Sequence, residues 1–378
     1  MIVLSGCSAL EDTGGGQTPS ATGTPVETVT STQTDTGMEN GSETETQAQF
    51  DASVRYPTGG VAGNESVVEI DVENTGEARG QYNATLTADG EQVATESVTL
   101  DSGVSTTVSL THTFEEPGEH TLSVADRNAT ITVYETPRAF IDAQEDTVET
   151  VSYQEDTSFD GTVQSSGRTV ETETESAVTV SKNLTAETMY ETGTATTTAR
   201  GETSTDSVQT WIVDGVEYSK SVGDNGETTY DRELSDEFDE GDAEMGNASL
   251  QPYLRTAHTD DEYVFIIEAN TSAEATELWR TLTSLQDENI EIVTSSEMDA
   301  LRFEYRYDRQ TGHQTREVAD VESSGGETFV ELDMTITKSS YSYGEQVTVE
   351  VPQDVKDGTS DSGTTGGSGT YAALAAGH

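Results

Sequence analysis

The chain of 378 residues carries 72 acidic side chains against 17 basic ones, a formal net charge of −55. Direct binding to nucleic acid is excluded, because contacts with phosphates need clustered Lys and Arg. The acidic residues are spread along the whole chain, and only molar salt, with a screening length of about 3 Å, confines their repulsion to near neighbours. The composition therefore predicts a protein of a halophile.

The N-terminus contains the only cysteine, Cys7, at the end of Leu4-Ser5-Gly6-Cys7. This string resembles the Leu-x-[Gly/Ala]-Cys lipobox of bacterial-type lipoproteins, and a chance match is the alternative. The resemblance implies that residues 1–7 end a secretory signal. A diacylglycerol on Cys7 would then hold the protein at the extracellular face of the cell membrane. Only three residues precede the box, whereas a signal needs about 7–15 apolar residues, so we expect a mis-set start or a truncated copy.

Two segments have the composition of disordered chain. Residues 8–48 are rich in Ser, Thr, Gly and Glu, with hardly an apolar side chain. Such a segment cannot bury enough surface to offset its ordering entropy, and it predicts a spacer between the anchor and the folded part. Residues 356–370 have a similar composition and are followed by a short apolar run over 371–377. We predict that residues 356–378 are a disordered tail.

Residues 49–135 consist of short alternating runs separated by turns about ten residues apart, the pattern of a β-sandwich. The pair Asp89-Gly90 predicts a hairpin turn. The run from Val67 to Val124, with its V-E-N-T-G turn and its E-P-G-E-H-T-L-S-V strand, resembles an immunoglobulin-like module of the CARDB type. The resemblance implies adhesion or spacing at a cell surface, without catalytic residues.

Residues 136–355 predict a second β domain. Thr136 as N-cap and Pro137 at the first helical position predict a helix over 137–152, and a second helix is expected over 273–285. Long alternating runs predict the strands between and after them, with a hairpin at Asp214-Gly215 and a last strand over 347–351. The predicted fold class is mainly β with two or three helices: an immunoglobulin-like β-sandwich followed by a curved antiparallel half-barrel covered by helices.

Three phrases in this second domain, WIVDGVEYSK, YDRQTGHQTR and YSYGEQVTVEVP, resemble LolA-like lipoprotein carriers and the LppX/LprG-like surface lipoproteins found in haloarchaea. The resemblance implies a cavity between sheet and helices that takes a lipid or acyl chain. Aromatic residues that could line it, or equally form an ordinary core, are Trp211, Tyr218, Phe265, Trp279 and Tyr305.

Catalytic and metal-binding patterns are absent from the sequence. The five histidines are scattered, and no nucleophile elbow, P-loop or dinucleotide fingerprint occurs. The acidic run over 233–244 could bind Ca²⁺, but it lacks the spacing of a calcium loop, and a solvated loop is the favoured alternative. We therefore expect no enzyme, no cofactor and no metal.

Seven of the asparagines occur in Asn-x-Ser/Thr, where chance would place two or three, and this motif marks N-glycosylation acceptors of exported proteins. They are Asn40, Asn64, Asn83, Asn128, Asn183, Asn247 and Asn270. The sequence as a whole predicts a lipid-anchored extracellular protein that binds or carries an apolar ligand in the half-barrel. The alternative is a non-catalytic envelope protein for adhesion or for contact with surface-layer proteins, without a ligand cavity.

Overall fold

The computed structural model describes residues 29–31, 47–165, 168–235, 249–259, 261–285, 297–324 and 329–361. These residues form two compact units. The sandwich unit runs up to Gln144 and includes Arg309–His313, and the sheet unit comprises the rest from Glu145 onwards. The predicted fold class is confirmed, because the described chain is mainly β, with three helices, an immunoglobulin-like sandwich and a large antiparallel sheet.

Two sheets make up the sandwich unit. Its strands are β1 (Val29–Ser31), β2 (Phe50–Arg55), β3 (Gly59–Val61), β4 (Glu65–Asn74), β5 (Gly80–Ala88), β6 (Glu91–Leu100), β7 (Ser105–Thr113), β8 (Gly118–Val124) and β9 (Arg127–Tyr134). The sheet orders are β1-β2-β4-β7 and β3-β9-β8-β5-β6. Period-two alternation places Val68, Ile70 and Leu86 in the shared core, where none of them is more than 2% exposed.

Strand β1 lies inside the segment that the sequence predicts to be a disordered spacer. It pairs with β2, with Val29 opposite Ala52 and Ser31 opposite Phe50. The residues Val-Thr-Ser favour extended backbone, and β2 offers an otherwise unpaired edge, which accounts for a strand at this place. The remainder of the predicted spacer up to residue 46 is outside the described residues, as is Cys7.

Helix α1 (Pro137–Glu145) begins as predicted, because the Thr136 hydroxyl accepts a hydrogen bond from the amide of Ala139 at 3.2 Å. It ends seven residues before the predicted end. The following residues, Thr-Val-Ser-Tyr over 150–153, are β-formers that open the next strand, and their alternate members Val151 and Tyr153 are buried. Contacts assign α1 up to Gln144 to the sandwich unit, beyond the predicted boundary at 135.

Eleven antiparallel strands form the sheet of the second unit. They are β10 (Thr150–Ser165), β11 (Arg168–Asn183), β12 (Thr188–Ala199), β13 (Glu202–Val213), β14 (Val216–Val222), β15 (Thr228–Leu234), β16 (Leu254–His258), β17 (Glu262–Ala269), β18 (Glu297–Asp308), β19 (Gln314–Ser324) and β20 (Phe329–Tyr343). The strand order is β15-β14-β13-β12-β11-β10-β20-β19-β18-β17-β16. Two helices complete the unit, α2 (Ser272–Leu285) and α3 (Gln353–Asp361).

Cross-strand pairing assigns each residue of this sheet to one of two faces. One row runs across seven strand pairs through Phe265, Tyr305, Glu317, Lys338, Glu155, Val178, Gly193 and Val208. We call this side the Lys338 face. Trp211 is three residues after Val208 and therefore lies on the opposite side, the Trp211 face.

The helices cover opposite faces of the sheet. Helix α2 packs on β17 and β18, where Ile267 and Phe303 of the Lys338 face are at most 2% exposed. Helix α3 packs on β14 and β15, and its Val355 joins Trp211 in one apolar cluster.

Two sequence predictions near the C-terminus differ from the structure. Residues 347–351 are not a strand, and α3 extends into the segment predicted as a tail from residue 356. The reason is the same for both, because Val349, Val351 and Val355 pack against Trp211 instead of extending the sheet. Residues 362–378 lie outside the described part of the chain.

Candidate functional site

A buried ion pair lies at the centre of the Lys338 face. Lys338 on β20 is directly opposite Glu317 on β19, and its Nζ is 3.3 Å from Glu317 Oε2. Each side chain is only 4% exposed. Glu155 on β10 faces Lys338 from its other side, so the ammonium group lies in a row between two carboxylates.

Tyrosine rings surround this pair. The Lys338 Nζ is 5.7 Å from the centre of the Tyr153 ring, a cation–π distance. Tyr341 lies 5.3 Å from Tyr153 and stacks on Tyr343 at 6.0 Å. A second lysine on this face, Lys182, is 5% exposed. The chain has only four lysines, so half of them are buried here.

The electrostatics of the site keep Lys338 charged. Burial alone would lower its pKa, but Glu317, Tyr153 and Glu155 outweigh burial and the opposing Lys182, so the pKa of Lys338 is raised. Burial raises the pKa of Tyr341 well above 10, and Glu317 adds to that rise. A protonated ammonium has no electron pair for nucleophilic attack, so this site is suited to holding charge and fixing strand register, not to covalent chemistry.

The raised pKa values predict a loss of stability in alkali. Above pH 10, unfolded tyrosine and lysine side chains release protons that the folded protein retains, so the free energy of unfolding falls as pH rises. The limit is about 1.4 kcal/mol per pH unit for each group. We expect Tyr341→Phe to remove one such contribution between pH 10 and 12, measured by urea unfolding at constant salt.

The comparison of this variant with the parent isolates the contribution of Tyr341 to the pH dependence of stability. Burial also raises the pKa of Tyr56, Tyr82 and Tyr134, and these contribute equally to both proteins. Tyr218→Phe, on the Trp211 face, controls for the loss of a hydroxyl group. Parallel pH profiles of Tyr341→Phe and the parent would contradict the prediction.

The sequence carries a signal for this buried ion pair, namely lysines at apolar positions of alternating strands. Lys182 continues the alternating run Val178, Val180, and Lys338 follows Ile336 at the same period of two. A lysine at an apolar position of an otherwise buried strand face needs a buried partner, and this rule points to Lys182 and Lys338 without naming Glu317.

The five aromatic residues predicted to line a cavity do not come together. Trp211 and Tyr218 are cross-strand partners on the Trp211 face, whereas Phe265 and Tyr305 are partners on the Lys338 face. Trp279 lies on α2 and is 4% exposed. The set therefore divides between the two sides of one sheet.

Around Trp211 the structure is a packed core. Trp211 is 5% exposed, and its ring is 5.5 Å from that of Tyr190. Charged side chains close the edge of this cluster, with the Arg232 guanidinium 5.6 Å from the Tyr218 ring. Lys220 donates to Asp354 of α3 at 3.0 Å. These contacts attach α3 to the sheet and leave Trp211 in the role of a core residue.

A second charged network lies on the Trp211 face of β17 to β19. Glu304, 7% exposed, accepts hydrogen bonds from Arg302 and, at 2.6 Å, from Arg306. Arg306 is also 3.2 Å from Glu262. Burial alone would raise the pKa of Glu304, but the two arginines outweigh it and lower the pKa. Arg302 also lies 3.4 Å from Asp320 of β19, so the network joins β17, β18 and β19 and keeps Glu304 ionised.

Five of the seven glycosylation sequons lie in described residues. Asn83, Asn128 and Asn270 are exposed, whereas Asn64 and Asn183 are half-buried. Asn40 and Asn247 lie outside the described part, together with most of the acidic run over 233–244. Within the described ranges, no group of three or more His, Cys, Asp or Glu side chains is arranged to hold a metal ion. No described helix has both the length and the apolarity needed to cross a bilayer.

Comparison with known proteins identifies one part of the chain. A search of curated proteins gives no match. Residues 52–136 match the CARDB family, whose members are non-catalytic immunoglobulin-like domains of a cell-surface or adhesion type. The match spans β2 to β9, as the quoted turn and strand motifs predict. Residues 52–136 of this chain are a CARDB domain.

Proposed function

We propose that the protein is a non-catalytic component of the outer surface of a halophilic cell, tethered by lipid on Cys7 and acting by binding. The observation that carries this proposal is the CARDB domain at residues 52–136. The described part of the sheet unit adds no metal cluster, and its most deeply buried charged pair, Lys338 with Glu317, is suited to structural support. Surface-layer proteins are the proposed class of partner.

Cell fractionation tests the location. We expect the protein in the membrane fraction of intact cells, where protease added in growth-strength salt degrades it. The variant Cys7→Ser should appear in the culture medium, because it lacks the residue that takes the lipid. Cys7→Ala provides a second thiol-free variant and should behave in the same way. Recovery of the parent protein in the cytoplasm would refute the proposal.

A second candidate is the binding of a lipid or acyl chain. One observation favours it. An apolar cluster on the Lys338 face, Val151, Tyr153, Val178, Val180, Met189 and Ile212, lies on β10 to β13, whereas α2 packs on β17 and β18 and α3 on β14 and β15. Lys182 and Lys338 lie on the same face, but both are buried and Lys338 pairs with Glu317, so the apolar cluster alone supports this candidate.

Native mass spectrometry of protein extracted from cells tests this second candidate. A co-purifying lipid that is lost in Met189→Trp, which adds bulk to the apolar cluster, would support it. Val349→Trp adds the same ring on the Trp211 face and should retain the lipid. Protein free of lipid in both the parent and the control would exclude a carrier role.

A further inference from the structure

The outward face of one sandwich sheet is almost free of charge. Between Gln81 and Thr132, the outward side chains of β5, β6, β8 and β9 are Gln81, Asn83, Thr85, Thr87, Gln92, Thr95, Ser97, Thr99, Glu119, Thr121, Ser123, Asn128, Thr130 and Thr132. Only Glu119, near the start of β8, is charged. We call this surface the uncharged face.

The opposite side of the same domain is strongly acidic. The charged side chains that point outward from the four-stranded sheet all lie on β2 and β4, and they are Asp51, Arg55, Glu65, Glu69, Asp71 and Glu73. The two faces therefore differ within one fold, although the chain as a whole carries a net charge of −55. The uncharged face therefore lacks the carboxylates that keep the acidic face hydrated in brine, and a sugar chain would supply hydration there.

Two sequons lie on the uncharged face. Asn83 is in the middle of β5, and its Oδ1 accepts a hydrogen bond from the Ser97 hydroxyl at 2.6 Å. Asn128 opens β9 opposite Ser123. Both side chains are exposed, and in the described structure neither Nδ2 atom donates a hydrogen bond. Strand spacings place the two residues about 16 Å apart, which leaves room for a sugar chain on each.

Two other sequons are inaccessible to a modifying enzyme in the folded protein. The sequon of Asn64 includes the hydroxyl group of Ser66, and that side chain is buried, with only 7% of the residue exposed. Asn183 is held at both ends of its amide, because Nδ2 donates to the Val347 carbonyl at 3.5 Å and Oδ1 accepts from the Ala186 amide at 2.9 Å. Asn270 is exposed but lies in the sheet unit, where its Oδ1 accepts a hydrogen bond from Arg255.

We propose that Asn83 and Asn128 carry N-linked glycans and that the uncharged face is the glycan-bearing side of the CARDB domain. In the reaction, the amide Nδ2 forms a bond to the anomeric carbon of a lipid-phosphate-linked sugar. The lipid phosphate leaves, and Nδ2 loses one proton. The inference rests on the proposed surface location, because such donors act on exported chains. The acidic face then remains for contact with partners.

Glycopeptide mass spectrometry on protein purified from the cells that make it tests the proposal. We expect sugar on the peptides containing Asn83 and Asn128 and none on those containing Asn64 and Asn183. Thr130→Ser keeps the Asn128 sequon and should keep its glycan. Thr130→Ala removes the sequon and should lower the intact mass by one glycan, with the far-UV circular dichroism unchanged.

Two outcomes would overturn the inference. One is an exported protein whose Asn83 and Asn128 are unmodified. The other is equal occupancy at Asn64 and Asn183, which would show that exposure on the uncharged face does not select the sites. Cell fractionation separates these results from a failure of the proposed function, because a cytoplasmic protein would refute the surface location itself.

Discussion

Replacement of Glu317 by glutamine is expected to lower the free energy of unfolding of the sheet unit by about 3–5 kcal/mol, since it leaves a buried ammonium without its carboxylate. Glutamine keeps the shape of the side chain, so the loss reports charge and not packing. Glu155, on the other side of Lys338, offers partial compensation and favours the lower end of this range. Both tryptophans, Trp211 and Trp279, lie in the sheet unit, so their fluorescence during urea unfolding reports this unit alone.

The double variant Lys338→Met, Glu317→Leu separates the cost of an orphaned charge from the net contribution of the pair. Well-packed apolar side chains often replace a buried ion pair with little loss or with a gain in stability. We therefore expect the double variant to be more stable than either single variant and within about 1 kcal/mol of the parent. If the losses in the free energy of unfolding of the two single variants simply add in the double variant, the two side chains are not energetically coupled.

A more exposed pair in the same unit, between β14 and α3, provides the matched control. Lys220 and Asp354 approach to 3.0 Å, closer than Lys338 and Glu317, but their side chains are 23% and 58% exposed. Exposed pairs contribute at most about 1 kcal/mol. Lys220→Met should therefore change stability far less than Glu317→Gln. Equal effects at the two pairs would mean that burial does not set the energy.

Local sequence chemistry predicted much of the fold. Asp89-Gly90 and Asp214-Gly215 both adopt positive φ angles in two-residue hairpin turns, as their residue types require. The Thr136 cap and the alternating strands were also correct. These features depend on residues close together in the chain, where rotamers, turn geometry and side-chain period are fixed by the residues themselves.

Pairing between distant segments was not predictable in the same way. Alternation indicates that Trp211 and Phe265 are each buried, but not that the register of seven strand pairs places them on opposite faces of the sheet. The end of α1 was missed because Val148 and Val151 fit a helical period as well as a strand. The third helix was missed because its apolar partner, Trp211, is more than 140 residues away in sequence.

The same register brings together four carboxylates that the sequence scatters. Glu173, Asp160, Asp333 and Glu322 lie directly opposite one another on four neighbouring strands of the Trp211 face. We call these four residues the carboxylate row. All are exposed, and cross-strand neighbours have Cβ atoms about 5 Å apart. Two unit charges at that distance in water repel by about 0.8 kcal/mol before screening.

Salt should therefore control the stability of the sheet unit. At 0.1 M salt the screening length is about 10 Å and leaves roughly half of each repulsion, whereas at 1 M it is about 3 Å. We expect the protein to lose its far-UV circular dichroism on dialysis to about 0.1 M salt. Asp160→Asn with Asp333→Asn removes all three like-charge contacts of the carboxylate row. This double variant should gain about 1–2 kcal/mol at low salt and unfold at a lower salt concentration.

A control with the same change in net charge distinguishes the carboxylate row from the overall charge of the chain. Glu175 lies opposite Ser158 and Thr196, and Glu202 lies opposite Ala199, so neither directly faces another carboxylate across a strand. Glu175→Gln with Glu202→Gln should shift the salt midpoint less than the variant of the carboxylate row. Equal shifts of the salt midpoint in the two double variants would assign the salt dependence to net charge alone. Retention of the fold by the parent at 0.1 M salt would contradict adaptation to brine.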